Sequence, residues 1–395
     1  MKVITDEAKI DEFLTRGVEN IFPNADFLRA RMKEGKPLTM YYGIDPTGPT
    51  IHLGHVVPIL KLADWQKLGH KAIFLIGDFT AMTGDPTDKL AVRKKLSREE
   101  VLENARDYKK QASRLIDFDG VNKAELKYNS DWLAKMSYRE VYELSALVSY
   151  QQMIERAMFQ ERIKKQKPIW MHELMYPMMQ GYDSVAMDVD GEIGGNDQTF
   201  NMLMGRDLLK QLKNKEKFVI ATKLLVDSTG KKMGKTEGNM LELRDTPENM
   251  FGKVMSWSDE MIDVGFKLCT RVLLEDVEEI LKTSPRDAKI RLAKEVVSIL
   301  VGEKEAEDAE KSWAQTFQKG ELPENVREVV VERGREIREV LTQEGLVQSR
   351  SDFQRLVKEG AVEFNGEKVK EITITINESG TIKIGKHRFL KVVVT

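Results

Sequence analysis

Leu38-Thr39-Met40-Tyr41-Tyr42-Gly43-Ile44 runs directly into Asp45-Pro46-Thr47-Gly48-Pro49 and, two residues later, into His52-Leu53-Gly54-His55. The first run is apolar and aromatic and reads as a buried strand, the second as a Pro/Gly turn, and the third as the opening of a helix. On a helix, residues three apart share a face, so His52 and His55 would point the same way. Free backbone N–H groups and the helix dipole favour a phosphate at that end, and Gly54 lets a base or ribose approach the backbone. Read alone, the tetrapeptide serves equally well as two surface histidines on a capped helix, so its meaning depends on the rest of the chain.

Outward from this stretch, strand-like runs recur at residues 72–76, in a segment ending near Ile193, and at 218–221, with helix-length segments between them. That alternation is the signature of a parallel α/β sheet. Residues 95–170 read as almost wholly helical and too long for one crossover, hence an inserted helical segment and a candidate subunit interface. Thr246-Pro247-Glu248 carries a helix-start signal with proline in the first turn and opens an all-α stretch reaching Trp313. Gly320 and Pro323 mark a hinge. Beyond it, Ser351-Asp352 opens a short helix that Gly360 ends, Asn365-Gly366 is a hairpin turn, and strands are expected at 372–376 and 390–394. The expected layout is a catalytic domain at 1–240 with an insertion at about 95–170, a helical domain at 241–320, a linker at 321–334 and a small α+β domain at 335–395.

Composition narrows the function. The 395 residues hold 62 Lys and Arg against 64 Asp and Glu, a net charge of -2, so any nucleic-acid surface must be local. Residues 333–395 alone carry 12 basic against 9 acidic side chains, +3, leaving 50 against 55, -5, for the first 332. With 41% apolar and 32% charged residues, and no run near the ~18 apolar residues of a membrane span, the composition is that of a globular chain. Its start lacks the apolar core of a signal peptide, and Cys269, the only cysteine, has no disulfide partner and no thiolate cluster for zinc. A cytoplasmic protein without a structural metal is expected.

Two further motifs bear on chemistry. Thr229-Gly230-Lys231-Lys232-Met233-Gly234-Lys235-Thr236, with Gly238 after it, intersperses glycines with lysines, as a loop delivering ammonium groups to a phosphate would; an ordinary surface loop is the competing reading. Tyr176, Gln180 and Asp183 fall at i, i+4 and i+7, a polar stripe on a helix that also carries Met178, Met179 and Tyr182. Such a stripe faces either solvent or a polar cavity.

The order of the histidine tetrapeptide and the lysine loop is that of the class I aminoacyl-tRNA synthetases. Together with Tyr41 to Thr47, Gly84-Asp85-Pro86, Tyr176 to Asp183 and Gly194-Gly195-Asn196-Asp197-Gln198, the chain resembles the bacterial tyrosyl-tRNA synthetases over nearly its whole length. The tail from about Leu341 is similar to their S4-type RNA-binding module. The resemblance implies a Rossmann-like catalytic domain, an α-helical anticodon-side domain, an S4-like tail and a homodimer. It also implies that tyrosine is activated by ATP with its Mg2+ and passed to tRNA(Tyr).

By that resemblance Tyr41 and Asp183 bind the phenolic hydroxyl of tyrosine, Asp85, Tyr176 and Gln180 hold its ammonium group, and Asp45 and Gln198 complete the contacts. Thr47 and His52 would meet the departing pyrophosphate, and His55, Gly43, Gly195 and Asp197 the ribose and adenine. Lys232, Lys235 and Thr236 would close on the phosphates, helped by Lys89 and Arg93. In the tail, Arg350, Arg355, Lys358 and Lys368 are candidate phosphate contacts for tRNA, with solubilising surface charge as the alternative. The rival readings are a tryptophanyl-tRNA synthetase, against which the hydroxyl-binding pair and the S4-like tail argue, and a non-catalytic RNA-binding relative.

Overall fold

The computed structural model describes residues 2–86, 96–226, 240–318, 328–344, 346–347, 350–385 and 388–394. The chain divides into two compact units, Met1–Ala306 and Glu307–Thr395.

The first unit is built on a six-stranded sheet of β1 (Val18–Phe22), β2 (Thr39–Ile44), β3 (Lys71–Ile76), β4 (Glu125–Tyr128), β5 (Gly191–Gly195) and β6 (Phe218–Thr222). The spatial order is β1-β6-β5-β2-β3-β4; all pairs are parallel except β1 with β6. From β2 the chain winds one way through β3 and β4, then returns to β5 on the other side of β2, so the β2/β5 boundary is the switch point where such sheets form a ligand crevice. In register, Tyr41 lies between Ile73 of β3 and Glu192 of β5. The interior strands are buried on both faces, as parallel sheets require, and every residue of β6 is buried.

Contrary to expectation, segment 95–170 is not wholly helical, because β4 lies inside it as an edge strand, and β1 was likewise not expected. Glu125-Leu126-Lys127-Tyr128 is short and half polar, and an edge strand needs apolar character on fewer sides, so neither period stands out.

The helix Leu53–Lys67 follows β2 and is buried along most of its length. Two later helices, Met171–Met187 and Thr199–Lys213, pack closely through Gly181 and Gly205. Pro247–Met255 begins at Thr246, whose hydroxyl accepts from the Asn249 N–H at 3.3 Å, and further helices run from Met261 to Val301. Residues 241–306 are tied to the sheet by buried Arg16, which donates to the carbonyls of Phe266, Lys267, Thr270 and Val272, and by Arg271, which donates to the Leu60 carbonyl and pairs with Asp64 at 2.9 Å.

The second unit is α+β. Its five-stranded sheet orders Glu367–Lys368, Val362–Phe364, Gly380–Ile384, Arg388–Val394 and Glu328–Val331, antiparallel except for the last pair. The helices Ile337–Gln343 and Arg350–Lys358 supply Val340, Leu341, Phe353 and Leu356 to a core with Ile382 and Leu390. Asn365 and Gly366 adopt positive φ of 50° and 85°, the two-residue turn their sequence demands. The strand expected at 372–376 is only Thr375–Ile376, paired with Arg335–Glu336, and Gly380–Ile384 was not expected.

Candidate active site

The carboxyl ends of β2, β3, β4 and β5 converge on one crevice. Asp45 follows β2, Asp78 and Thr80 follow β3, Asn129 and Trp132 follow β4, and Asp197 and Gln198 follow β5. The polar stripe of Met171–Met187 faces into this crevice: Tyr176 and Asp183 are buried and Gln180 is half-buried, so the solvent-facing alternative is set aside.

At one end lie Tyr41 and Asp183. Trp132 donates its indole N–H to Asp183 Oδ1 at 2.8 Å, and Asn129 donates to Asp183 Oδ2 at 3.3 Å. The Tyr41 hydroxyl lies 3.0 Å from Ser184 Oγ. Burial pushes both ionisations up, Tyr41 well above the usual phenol range and Asp183 well above the usual carboxylate range; the Asp183 shift is opposed by its two donors. A hydroxyl and a carboxyl side by side in a dry pocket suit a ligand hydroxyl that both donates and accepts.

The other end is acidic. Tyr176 donates to Asp45 Oδ2 at 2.9 Å and Thr80 to Asp45 Oδ1 at 2.7 Å. Burial outweighs these donors and, with the charges of Asp85 and Asp78, lifts the Asp45 carboxyl to about 7. Gln198 donates to Asp85 at 2.6 Å while accepting from Asn201 at 3.0 Å. Asn129 also donates to Thr80 at 3.0 Å, which links Asp183 to Asp45 through one continuous chain of hydrogen bonds. An acidic, acceptor-rich end suits a cation.

Beside the crevice, His52 caps the helix Leu53–Lys67, and its ring stacks on His55 at 3.7 Å. The expected shared face is therefore present. The backbone of this motif pairs with the segment after the lysine loop: Leu53 N–H donates to the Leu241 carbonyl and Leu243 N–H to that of Ile51, both at 2.9 Å. Gly43 and Thr47 are exposed, and Gly195 and Asp197 half-buried, along the same edge. A Cβ on Gly195 would lie 2.5 Å from Asp197 Oδ1, so a side chain there would push Asp197 aside. Lys89, Arg93, Lys232, Lys235 and Thr236 lie outside the described residues.

The family model described as tRNA synthetases class I (W and Y) matches residues 32–318. The tyrosine–tRNA ligase of Carboxydothermus hydrogenoformans is 41% identical over 97% of both chains, and tyrosine–tRNA ligase 2 of Vibrio cholerae is 41% identical over 98% of this chain and 99% of its own. The chain belongs to the tyrosine–tRNA ligases of the class I synthetase family. A C-terminally truncated mitochondrial tyrosyl-tRNA synthetase of Coccidioides posadasii superposes with TM-score 0.64 at 25% identity, covering 78% of this chain and 92% of that one. The Archaeoglobus fulgidus tyrosyl-tRNA synthetase, solved with L-tyrosine, shares the fold with TM-score 0.62 at 24% identity, covering 77% of this chain and all of its own.

Within this ligase fold, several residues of the crevice escaped the sequence reading. Asn129, Trp132, Thr80, Ser184, Glu192 and Lys217 reach it from five separate segments, and only Ser184, four residues after Gln180 on the same helix, keeps a periodic spacing. Gln180 donates to Glu192 Oε1 at 3.0 Å, and Lys217 is fully buried in an ion pair with Glu192. In the tail, Arg350, Arg355, Lys358 and Lys368 are all exposed, and Arg355 is also paired with Asp352 at 2.9 Å in its own helix and with Glu359, just past the helix end, at 3.1 Å. Arg355 is therefore partly engaged on the surface and meets a phosphate in competition with those partners.

Proposed function

We propose that the chain activates L-tyrosine with ATP and charges tRNA(Tyr). In the first step a carboxylate oxygen of tyrosine attacks the α-phosphorus of ATP in line, forming the acyl–phosphate bond and releasing pyrophosphate. In the second, a hydroxyl of the terminal adenosine of tRNA attacks the acyl carbon, forming the ester and releasing AMP. The observation that carries this reading is the two-ended crevice at the switch point, with Tyr41 and Asp183 at one end and Asp45, Asp85 and Tyr176 at the other. Its ends match the hydroxyl and the ammonium of one amino acid.

In this reading Gln180 and Gln198 complete the ammonium side. Thr47 and His52 act on the departing pyrophosphate, His55, Gly43, Gly195 and Asp197 on the nucleoside, and Lys232, Lys235, Thr236, Lys89 and Arg93 on the phosphates. Magnesium arrives with ATP as part of the substrate. Phosphoryl chemistry of this kind asks the protein for positioning and charge neutralisation, not for a general base. The unit Glu307–Thr395 would hold tRNA through Arg350, Lys358 and Lys368, with Arg355 in competition with its carboxylate partners. A homodimer is supported by Tyr138, Tyr142, Tyr150, Trp170 and Met171, large side chains left exposed on the helical segment after β4. Light scattering tests that. No helix among the described residues is long and apolar enough to cross a membrane, and a cytoplasmic site of action is the corresponding proposal.

ATP–pyrophosphate exchange measured across the amino acids tests the assignment. Exchange with tyrosine at a rate far above that with tryptophan or phenylalanine is expected. Exchange with tryptophan instead would select the rival synthetase, and exchange with none would select a non-catalytic RNA-binding role.

A further inference from the structure

Below the tyrosine crevice lies a buried ion pair that none of the assigned roles uses. Lys217, the residue before β6, and Glu192, in β5, are both almost fully buried and paired with each other. Lys217 Nζ donates to Ser184 Oγ at 2.8 Å and lies 5.7 Å from the centre of the Tyr41 ring. Ser184 in turn lies 3.0 Å from the Tyr41 hydroxyl. Glu192 accepts from Gln180 Nε2 at 3.0 Å. Room for this arrangement exists only because Gly205 lacks a side chain: a Cβ there would lie 2.6 Å from Lys217 Nζ and 2.7 Å from Ser184 Oγ.

We propose that Lys217 and Glu192 form a positioning pair that sets tyrosine selectivity by fixing the hydrogen-bond directions of Tyr41 and Gln180. The proposal rests on the tyrosine reading of the crevice. Glu192 has acceptors only, so its bond to Gln180 turns the amide nitrogen downward and leaves Oε1 as the acceptor facing the ligand ammonium. The same carboxylate already reaches the Tyr41 hydroxyl, helping to raise its ionisation, and without a counter-ion it would hold the Tyr41 proton more strongly. Lys217 satisfies Glu192, and its N–H on Ser184 favours Ser184 as donor to Tyr41. The Tyr41 O–H is then available to the phenolic oxygen of tyrosine, whose own proton goes to Asp183. Phenylalanine would offer no hydroxyl to Tyr41 and Asp183, so each would lose its ligand-side hydrogen bond and keep only its protein partners, which is costly in a desolvated site.

A buried pair is strongly sensitive to losing one member and much less so to losing both, which provides a test that simple space-filling cannot mimic. We would measure exchange kcat/KM for tyrosine and phenylalanine in the full chain, with melting temperature as a folding control. Lys217→Met should lower the tyrosine-to-phenylalanine ratio about 10- to 100-fold. The loss should appear mainly in the KM for tyrosine, with the slow phenylalanine reaction little changed. The double variant Glu192→Gln/Lys217→Met should recover most of the ratio, because the introduced amide can still accept from Gln180 and no longer competes as an anion. Ser184→Ala, which leaves the ion pair in place, should lower the ratio by a few-fold and provides the test if Lys217→Met does not fold. An unchanged ratio in the folded Lys217→Met or Ser184→Ala proteins, or a double variant no better than the single, would overturn the proposal. Failure of the wild-type chain to exchange with tyrosine would overturn the underlying reading instead.

Discussion

The Tyr176 hydroxyl donates to Asp45 across 2.9 Å, and the Asp45 carboxyl, lifted by burial to about 7, is poised to change charge near neutrality. In the folded chain alone this group holds its proton more tightly than in the unfolded chain, so its contribution to stability grows as pH falls from about 7 toward 4. Binding of an ammonium group has the opposite sign, because the cation needs the carboxylate. Tyrosine affinity measured calorimetrically without ATP should therefore rise with pH, by at most about tenfold per unit, and level off above about 7. Asp45→Asn should flatten the profile. A flat wild-type profile, or an equal slope in the variant, would show that Asp45 does not meet the ammonium.

Trp132 gives the hydroxyl end a second handle. Its indole is one of two donors on Asp183. Trp132→Phe preserves a ring but deletes the donor, leaving a buried carboxyl oxygen short of a partner at a cost of about 1–3 kcal/mol. A lower melting temperature and about tenfold weaker selection of tyrosine over phenylalanine are expected. If the melting temperature falls and selectivity does not, Trp132 supports the fold alone.

How much of this could be read in advance varies with how local each signal is. The run from Leu38 to His55 announces itself because strand, turn and helix start are contiguous, and Tyr176, Gln180 and Asp183 keep helical spacing. Most of the supporting partners do not. Lys217 ends the charge run Lys213-Asn214-Lys215-Glu216-Lys217, which reads as solvated loop, yet it is fully buried because β6 begins at the next residue. Trp132 and Asn129 meet Asp183 from about 50 positions away, so only the sheet order brings them together. Strand β4 escapes for a related reason, since its pairing to β3 is fixed by contacts such as Ser130 on Asp78 at 2.6 Å and not by its own pattern.

Arg16 offers a test of how residues 241–306 are held to the sheet. Its guanidinium donates to four carbonyls between Phe266 and Val272 at 2.8 to 3.3 Å, and burial lowers its ionisation below the usual arginine range. Arg16→Ala would leave several of those carbonyls unpaired, and a loss of about 2–4 kcal/mol is expected in chemical denaturation. Arg16→Lys should rescue little, because one ammonium cannot reproduce a planar fork reaching four acceptors. A change below about 0.5 kcal/mol in Arg16→Ala would mean that water replaces the clamp.

The division at Ala306 predicts separable half-reactions. The described part of the crevice, from Tyr41 to Lys217, lies inside Met1–Ala306, and the lysine loop at 231–236 belongs to the same span of chain. A chain ending near Gln318 should therefore still exchange pyrophosphate with tyrosine at close to the full-length rate. Charging of tRNA is a different matter, because the polyanion must be held through its phosphates, and the excess of basic side chains is concentrated in the tail at +3 against -5 elsewhere. Truncation should depress aminoacylation by orders of magnitude while sparing exchange. In the full chain, tRNA affinity should fall steeply with salt, and each of Arg350→Ala, Lys358→Ala and Lys368→Ala should reduce the slope of log K against log salt by about one counterion. Arg355→Ala should do less, since its guanidinium is already shared between Asp352 and Glu359. Equal loss of exchange and charging on truncation would make the tail a structural support, and undiminished charging would remove it from tRNA binding.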